Sequence, residues 1–273
     1  MTTHNLPRQS TPFIGRTDDL AEIARLLADP ACQLLTLVGP GGIGKTRLAL
    51  QAAEQQASTF AQGVFFVSLA PLDSAESIVP TIAEAVGFSF YPGDDSAQQL
   101  LNYLGAKNLL LVLDNFEHLL AGAILVVDIL RTAPGVKILV TSRERLQLEE
   151  EWVRHVDGMT FPKSNHIEHI EQYSAIQLFA QRAHRVRDDF SLANELASVI
   201  LICQLVEGLP LGILLAASWV ETLSLEEIAD EINRSMDFLE SEMRGLPARH
   251  RNIRAVFDSS WNRLAEVVSG TVI

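Results

Sequence analysis

Cysteine is nearly absent: only Cys32 and Cys203 occur in 273 residues. They lie far apart and form no C-x-x-C pair, so neither a disulfide framework nor a zinc site is expected. No Lys/Arg-rich tract occurs, and the net charge is −13. Non-specific nucleic-acid binding depends on neutralising phosphates with basic side chains, so direct nucleic-acid binding by this chain is not expected. Long hydrophobic runs are missing too. The longest, residues 209–220, contains Pro and Gly, and at about twelve residues it is too short to span a bilayer. Residues 1–12 lack the apolar core of a signal peptide. These absences point to a soluble, cytoplasmic chain without membrane contact. In that setting the sequon Asn233-Arg234-Ser235 is a chance match. No internal repeat or low-complexity tract appears.

What is present is a globular composition, 48% hydrophobic and 20% charged, with one strong motif. Residues 39–46 read Gly-Pro-Gly-Gly-Ile-Gly-Lys-Thr, the phosphate-cradling pattern G-x-x-x-x-G-K-[ST]. Gly39, Gly41, Gly42 and Gly44 let the backbone curl so that its N–H groups face anionic oxygens. The apolar run Leu34-Leu35-Thr36-Leu37-Val38 before the loop reads as a buried parallel strand. Arg47 to Glu54 after it read as helix, whose positive dipole end falls at the phosphates. Lys45 is expected to reach the β- and γ-phosphates, and the Thr46 hydroxyl to ligate Mg²⁺. Together with Ile43 and Arg47, these residues are candidate contacts for ATP or ADP.

Residues 1–12 read as a flexible tail and 18–28 as a helix capped by Thr17. Further strands are expected at 64–69, 109–113, 136–140 and 151–156, and helices at 74–86, 96–105 and 117–131. Apolar strands alternating with helices mean a parallel sheet covered on both faces, over 13–160. Beyond Pro162 only helices are expected, at 173–186, 191–207, 211–223, 225–233 and 235–244. This is a separate helical domain over 161–245. Residues 246–273 open another helical pattern at 252–265 and are expected to be cut inside a longer protein.

The apolar strand 109–113 ends in Asp114, where a P-loop site needs an acid to hold Mg²⁺. Many ATPases place a second acid next; here that position is Asn115, which cannot usefully accept a proton. Glu117 lies close enough in sequence to serve as base or water-positioning group, or to be a first-turn glutamate favoured by the helix dipole. Slow turnover follows as an expectation. Arg143, at the carboxyl end of the fourth strand, is placed to touch the γ-phosphate, or to pair with Glu144, Glu149 or Glu150 on the surface. His166 and His169 flank Glu168 with no nearby Cys, and read as a solvated loop. Trp152, Trp219 and Trp261 read as packing residues.

Four landmarks stand in order: Phe13-Ile14-Gly15-Arg16, the P-loop with the Leu-Asp-Asn-Phe-Glu-His segment (113–118), Ile138-Leu139-Val140-Thr141-Ser142-Arg143, and Gly208-Leu209-Pro210-Leu211. The series resembles the STAND class of signal-transduction ATPases, specifically the NB-ARC-like module of large bacterial transcriptional regulators, over roughly residues 12–265. The resemblance implies that Ile14 and Arg16 lie at the adenine and ribose side and that Pro210 closes over the adenine. It gives Arg143 the phosphate-sensor role and makes 252–265 the start of a truncated winged-helix domain. It also implies self-association through the ATPase module in a larger regulator. The expected function is an ATP/ADP switch with slow hydrolysis. A small-molecule kinase and a ring-forming motor ATPase are the alternatives, the latter needing an arginine in trans such as Arg131, Arg145 or Arg154. No guanine-reading Asn/Thr-Lys-x-Asp stretch occurs.

Overall fold

The computed structural model describes residues 4–93, 95–163 and 169–235. The expected helices at 235–244 and 252–265, and the residues His166, Glu168 and Trp261, lie outside these. The described residues form two compact units. One holds Thr17–Gly39 and Lys45–Val156 with the segment before Ile14; the other holds Ile14–Arg16, Pro40–Gly44 and the described residues from Asp157 on.

The first unit is an α/β sandwich. Its elements in order are α1 (Thr17–Ala28), β1 (Leu34–Val38), α2 (Lys45–Gln55), β2 (Val64–Ser68), α3 (Ile78–Ala85), α4 (Ser96–Leu104), β3 (Leu109–Asp114), α5 (Ala123–Thr132), β4 (Val136–Ser142) and β5 (Glu151–His155). The strands form one five-stranded sheet in the order β2-β3-β4-β1-β5, parallel throughout. The central strands β1 and β3 are buried at every residue, as a parallel sheet covered by helices on both faces requires. Alternation assigns the faces. Leu34, Phe65, Val67, Leu111, Leu113, Ile138 and Val140 pack in one cluster with residues of α3, α4 and α5. Leu35, Leu110, Val112 and Leu139 point the other way, to the face where α2 packs on the strands and on α1.

Local differences from the expected elements have physical causes. The helix expected at 117–131 is two 3₁₀ turns, Phe116–His118 and Leu120–Gly122, followed by α5. Asn115 sits in the left-handed region at φ 70° and breaks the chain direction after β3. Gly122 has no Cβ; one there would stand 2.4 Å from Ile78 Cδ1, so the chain passes close over α3. The expected tail also makes specific contacts. His4 forms a parallel bridge to Val64, and the Asn5 side-chain amide brackets Phe66, donating to its O (2.9 Å) and accepting from its N–H (2.6 Å). Trp152 is not core: on the edge strand β5 it is 38% exposed.

The second unit is helical: α6 (Ser174–Ala183), α7 (Leu192–Leu205), α8 (Pro210–Ser218) and α9 (Leu225–Arg234). Helix α6 packs on α8, and α7 on α9. Proline at the first position of α8 costs no hydrogen bond, because that N–H has no intrahelical partner. The preceding Glu207 and Gly208 both have positive φ. A Cβ at Gly208 would lie 2.2 Å from Met159 O, while Met159 N–H donates to Gly208 O at 2.8 Å. Glycine is required there by a close backbone crossing.

Candidate functional site

Because every strand runs the same way, the carboxyl ends of β1, β3 and β4 share one edge of the sheet, where open α/β sheets bind ligands. Residues 39, 45–46, 114–117 and 141–143 gather there. The glycine loop follows β1 and carries positive φ at Gly42 (75°) and Gly44 (93°), a conformation open to glycine without strain. A Cβ on Gly42 would come within 2.9 Å of Leu211 Cβ, and Leu211 N–H donates to Gly42 O at 3.2 Å.

Lys45 opens α2 with its side chain largely buried; its Nζ donates to Gly39 O at 2.7 Å. Burial lowers its pKa to about 8, opposed in part by the nearby Glu117 carboxylate. Burial disfavours the charged ammonium, and an arriving anion would offset that cost.

Strand register brings the next group together. Asp114 stands beside Thr141 across β3 and β4, on the face that α2 covers. Asp114 Oδ1 accepts from the Thr46 hydroxyl (2.6 Å) and from the Thr141 hydroxyl (2.7 Å). Asp114 is buried; Thr46, one residue into α2, is exposed. A hydroxyl and a carboxylate oxygen side by side are hard donors of the kind Mg²⁺ takes together with phosphate oxygens. This pair, Thr46 and Asp114, could hold that ion. No other cluster of His, Cys, Asp or Glu suited to a metal exists among the described residues.

Glu117 and Arg143 meet. Arg143 Nε lies 3.1 Å from Glu117 Oε1, with both side chains mostly buried. Arg143 therefore has Glu117 as an ion-pair partner, beside the surface carboxylates expected from sequence. Two residues unassigned from sequence support this corner. Thr141 orients Asp114. His118 Nε2 lies 3.1 and 3.0 Å from the carbonyls of Leu69 and Leu72, and its Nδ1 lies 3.4 Å from Asn115 Nδ2. The carbonyls place the proton on Nε2, leaving Nδ1 to accept from the amide. His118 thus ties the turn that carries Glu117 to the loop after β2.

The remaining candidates divide by unit. Arg47, in the first turn of α2, donates to Thr11 Oγ1 (2.8 Å), Thr11 O (2.8 Å) and Pro12 O (3.2 Å). In the helical unit Arg16 is itself left-handed (φ 59°) and donates to Ile43 O (2.8 Å) and Asp157 O (2.9 Å). Gly15 packs on Ser174, where a Cβ would be 2.4 Å from Ser174 Cβ. Ile14 is half-buried in the same segment. Pro210 Cγ is 3.9 Å from the Cβ position of Gly44, so Pro210 stands over the glycine loop.

A hollow of about 530 Å³ lies elsewhere, lined by His4, Asn5, Glu84, Tyr103 and Lys107 among others. It has neither a glycine loop nor a hydroxyl–carboxylate pair, so chemistry rather than hollow size locates the site. Cys32 and Cys203 are buried, with thiol pKa values pushed up to about 11 and about 12 by burial, which makes both unreactive. No helix among the described residues is long and apolar enough to cross a membrane.

Comparison with known proteins adds family and fold. The family model for the NB-ARC domain matches residues 16–188. A candidate HTH-type transcriptional regulator of Mycobacterium tuberculosis is 39% identical over 236 residues, 86% of this chain and 25% of that protein. Regulatory protein AfsR of Streptomyces griseus is 28% identical over 280 residues, 95% of this chain and 26% of that one. The chain thus spans about a quarter of the length of these relatives. Among solved structures, the Aeropyrum pernix ORC2 protein in ADPNP–ADP complexes matches with a TM-score of 0.53 at 14% identity, over 84% of this chain and 70% of that one. A STAND protein with a tetratricopeptide repeat sensor from Pyrococcus horikoshii matches with a TM-score of 0.50 at 17% identity, over 84% of this chain and 33% of that one. At such identities the likeness is one of fold.

Proposed function

The chain belongs to the NB-ARC domain family, and from that membership together with the geometry of its site we propose that it is a nucleotide-operated switch. It binds ATP and ADP with Mg²⁺, hydrolyses ATP slowly, and controls the conformation or self-association of a larger regulator in the cytoplasm. The observation that carries this reading is the Thr46 hydroxyl on the Asp114 carboxylate at 2.6 Å, at the mouth of a glycine loop that opens a helix. Residues 13–160 are the nucleotide-binding domain, and α6 to α9 belong to a helical lid domain.

In this reading the amides of Gly39, Gly41, Gly42, Ile43 and Gly44 and the positive end of α2 hold the phosphates. Lys45 leaves Gly39 O for the β- and γ-phosphates. Thr46 and Asp114 would hold Mg²⁺, which would supply charge neutralisation for the transferring phosphoryl group. Glu117 orients or activates the attacking water. Arg143, held on Glu117, reads the γ-phosphate. Ile14, Arg16 and Pro210 flank the base and ribose. Asn115 in place of a second acid leaves Glu117 alone as base, which keeps turnover slow. The γ-phosphate then biases a two-state element by the contacts it makes in one state and not the other.

The test is direct. Purified protein is denatured and the supernatant chromatographed for released nucleotide, and calorimetry follows binding of Mg–ATP and Mg–ADP. Recovered ADP, tight binding and turnover well below one per second support the switch. No heat from either nucleotide, or steady-state turnover of many per second, rejects it.

A further inference from the structure

The turn after β3 carries two adjacent side chains that leave it in different directions. Glu117 meets Arg143, which follows β4, at 3.1 Å. His118 reaches the loop after β2, with Nε2 3.1 Å from Leu69 O and 3.0 Å from Leu72 O. The turn itself is one short 3₁₀ element, Phe116–His118, closed by the hydrogen bond from Leu119 N–H to Phe116 O at 2.9 Å. So short an element has no hydrogen-bond ladder to fix it, and its setting depends on what its side chains hold. Phe116 and Leu119 are buried and anchor its ends in the core. Asn115 enters it at φ 70°, a left-handed conformation that a non-glycine residue keeps only where its neighbours hold it. Asn115 N–H donates to Thr141 O (3.1 Å) and Thr141 Oγ1 (2.9 Å), and its side-chain amide meets His118 Nδ1 at 3.4 Å.

A continuous line of hydrogen bonds results. It runs from the Asp114 carboxylate through the Thr141 hydroxyl, Asn115 and His118 to the loop after β2. That loop reaches the surface: Pro71, between the two accepting carbonyls in sequence, is exposed. A general base works only within hydrogen-bond reach of its water, so a loosened turn costs rate before it costs binding. We propose that His118 is a positioning residue for hydrolysis: by tying the turn to the 69–72 loop it sets the Glu117 carboxylate for the attacking water, and the loop becomes a surface point from which turnover is adjusted. His118 acts through Glu117 and touches no reacting atom. The inference rests on the nucleotide-switch reading above and adds to it where the rate is set.

The experiment measures single-turnover hydrolysis of Mg–ATP beside calorimetric affinities for Mg–ATP and Mg–ADP, on the whole chain. His118→Ala is expected to slow the chemical step about tenfold and to leave both affinities within about twofold. His118→Gln keeps a donor near the Nε2 position and should recover the rate to within about threefold of wild type. In a Glu117→Gln background His118→Ala should add less than about twofold, because the group it positions is already disabled. Pro71→Gly loosens the loop without touching the ring; it should slow wild type about threefold and leave His118→Ala unchanged. Pro71 is exposed, so this variant keeps the link readable if His118→Ala does not fold. An unchanged rate in His118→Ala, or in Pro71→Gly where His118→Ala does not fold, overturns the proposal. Loss of affinity equal to the loss of rate makes His118 a general support of the fold and overturns it too, as does a full tenfold loss retained in Glu117→Gln. Wild-type protein that binds ATP without hydrolysing it removes this inference alone; protein that binds neither nucleotide removes the switch reading with it.

Discussion

Lys45 is the residue whose state a nucleotide should change most. Its pKa is lowered to about 8 in the folded chain by burial, against an ordinary lysine value of 10.5. The unfolded chain therefore binds more protons between about pH 8 and 10.5, so this group's contribution to stability rises with pH across that window. At neutral pH the buried ammonium is a cost, which a polyphosphate relieves. ATP binding should take up a proton near pH 8, and affinity should fall as pH rises through that value. Calorimetry in buffers of different ionisation enthalpy reads the uptake, and Lys45→Met should abolish it. Glu117→Gln separates binding from chemistry. It is nearly isosteric, and the turn that carries it is also tied through His118 to the carbonyls of Leu69 and Leu72. Turnover should drop by about 10²-fold or more, the usual size of a lost general base, while ADP affinity changes by less than about threefold. Single-turnover hydrolysis beside equilibrium titration checks both. The Lys45, Thr46 and Asp114 set was legible because a P-loop is a contiguous string and its acid ends an apolar run. Thr141 was not, since nothing local marks which hydroxyl will stand across from Asp114. That required the β3–β4 register. The Arg143–Glu117 pair was hidden for the same reason: nearer carboxylates in sequence competed for the arginine.

At the scale of elements, caps and close crossings decide where chains turn. Helix α9 starts on a reciprocal capping box. Ser224 Oγ accepts from Glu227 N–H at 3.3 Å, and Glu227 Oε2 accepts from Ser224 N–H at 2.9 Å. Ser224→Ala should destabilise the helical unit by about 1 kcal/mol, seen as a lower denaturant midpoint at unchanged slope. The turn between α3 and α5 depends on size instead. Gly122→Val would drive a Cβ to 2.4 Å from Ile78 Cδ1 and should cost about 1–3 kcal/mol. Gly122→Val with Ile78→Ala should recover part of that loss, which a thermal melt of the pair of variants tests. Helix content over 117–131 was overestimated from periodicity, because the propensity of Glu117 to Arg131 is helical while the positive φ of Asn115 and the imidazole bonds of His118 belong to tertiary contacts. The contacts of residues 4–5 and 11–12 escaped notice likewise: an amide bracketing Phe66 and an arginine from α2 lie tens of residues away in sequence.

For the whole molecule, charge sets partners. The net charge of −13 works against the phosphate neutralisation that non-specific DNA binding needs. It should not retard duplex DNA in a gel at about 0.15 M salt, where exposed charges interact only over roughly 8 Å. DNA contact by a larger regulator would then come from another domain, and a shift by this chain alone would contradict that division of labour. Size measurement with ADP and with a non-hydrolysable ATP analogue belongs at this scale too. Larger assemblies with the triphosphate form are expected from a switch that works through self-association.

Much here was determined by neighbours along the chain: that a glycine loop joins a buried strand to a helix, that the strands run parallel, that an acid ends one of them, and that among the described residues helices follow the last strand. Such features depend on contiguous pattern, which a linear string contains in full. Strand order and register were decided only in three dimensions. Placing β4 between β3 and β1 sets Thr141 against Asp114 and brings Arg143 to Glu117. Those contacts join residues far apart in sequence, and their energy depends on which strands pair and how every face is packed, information that no single segment carries.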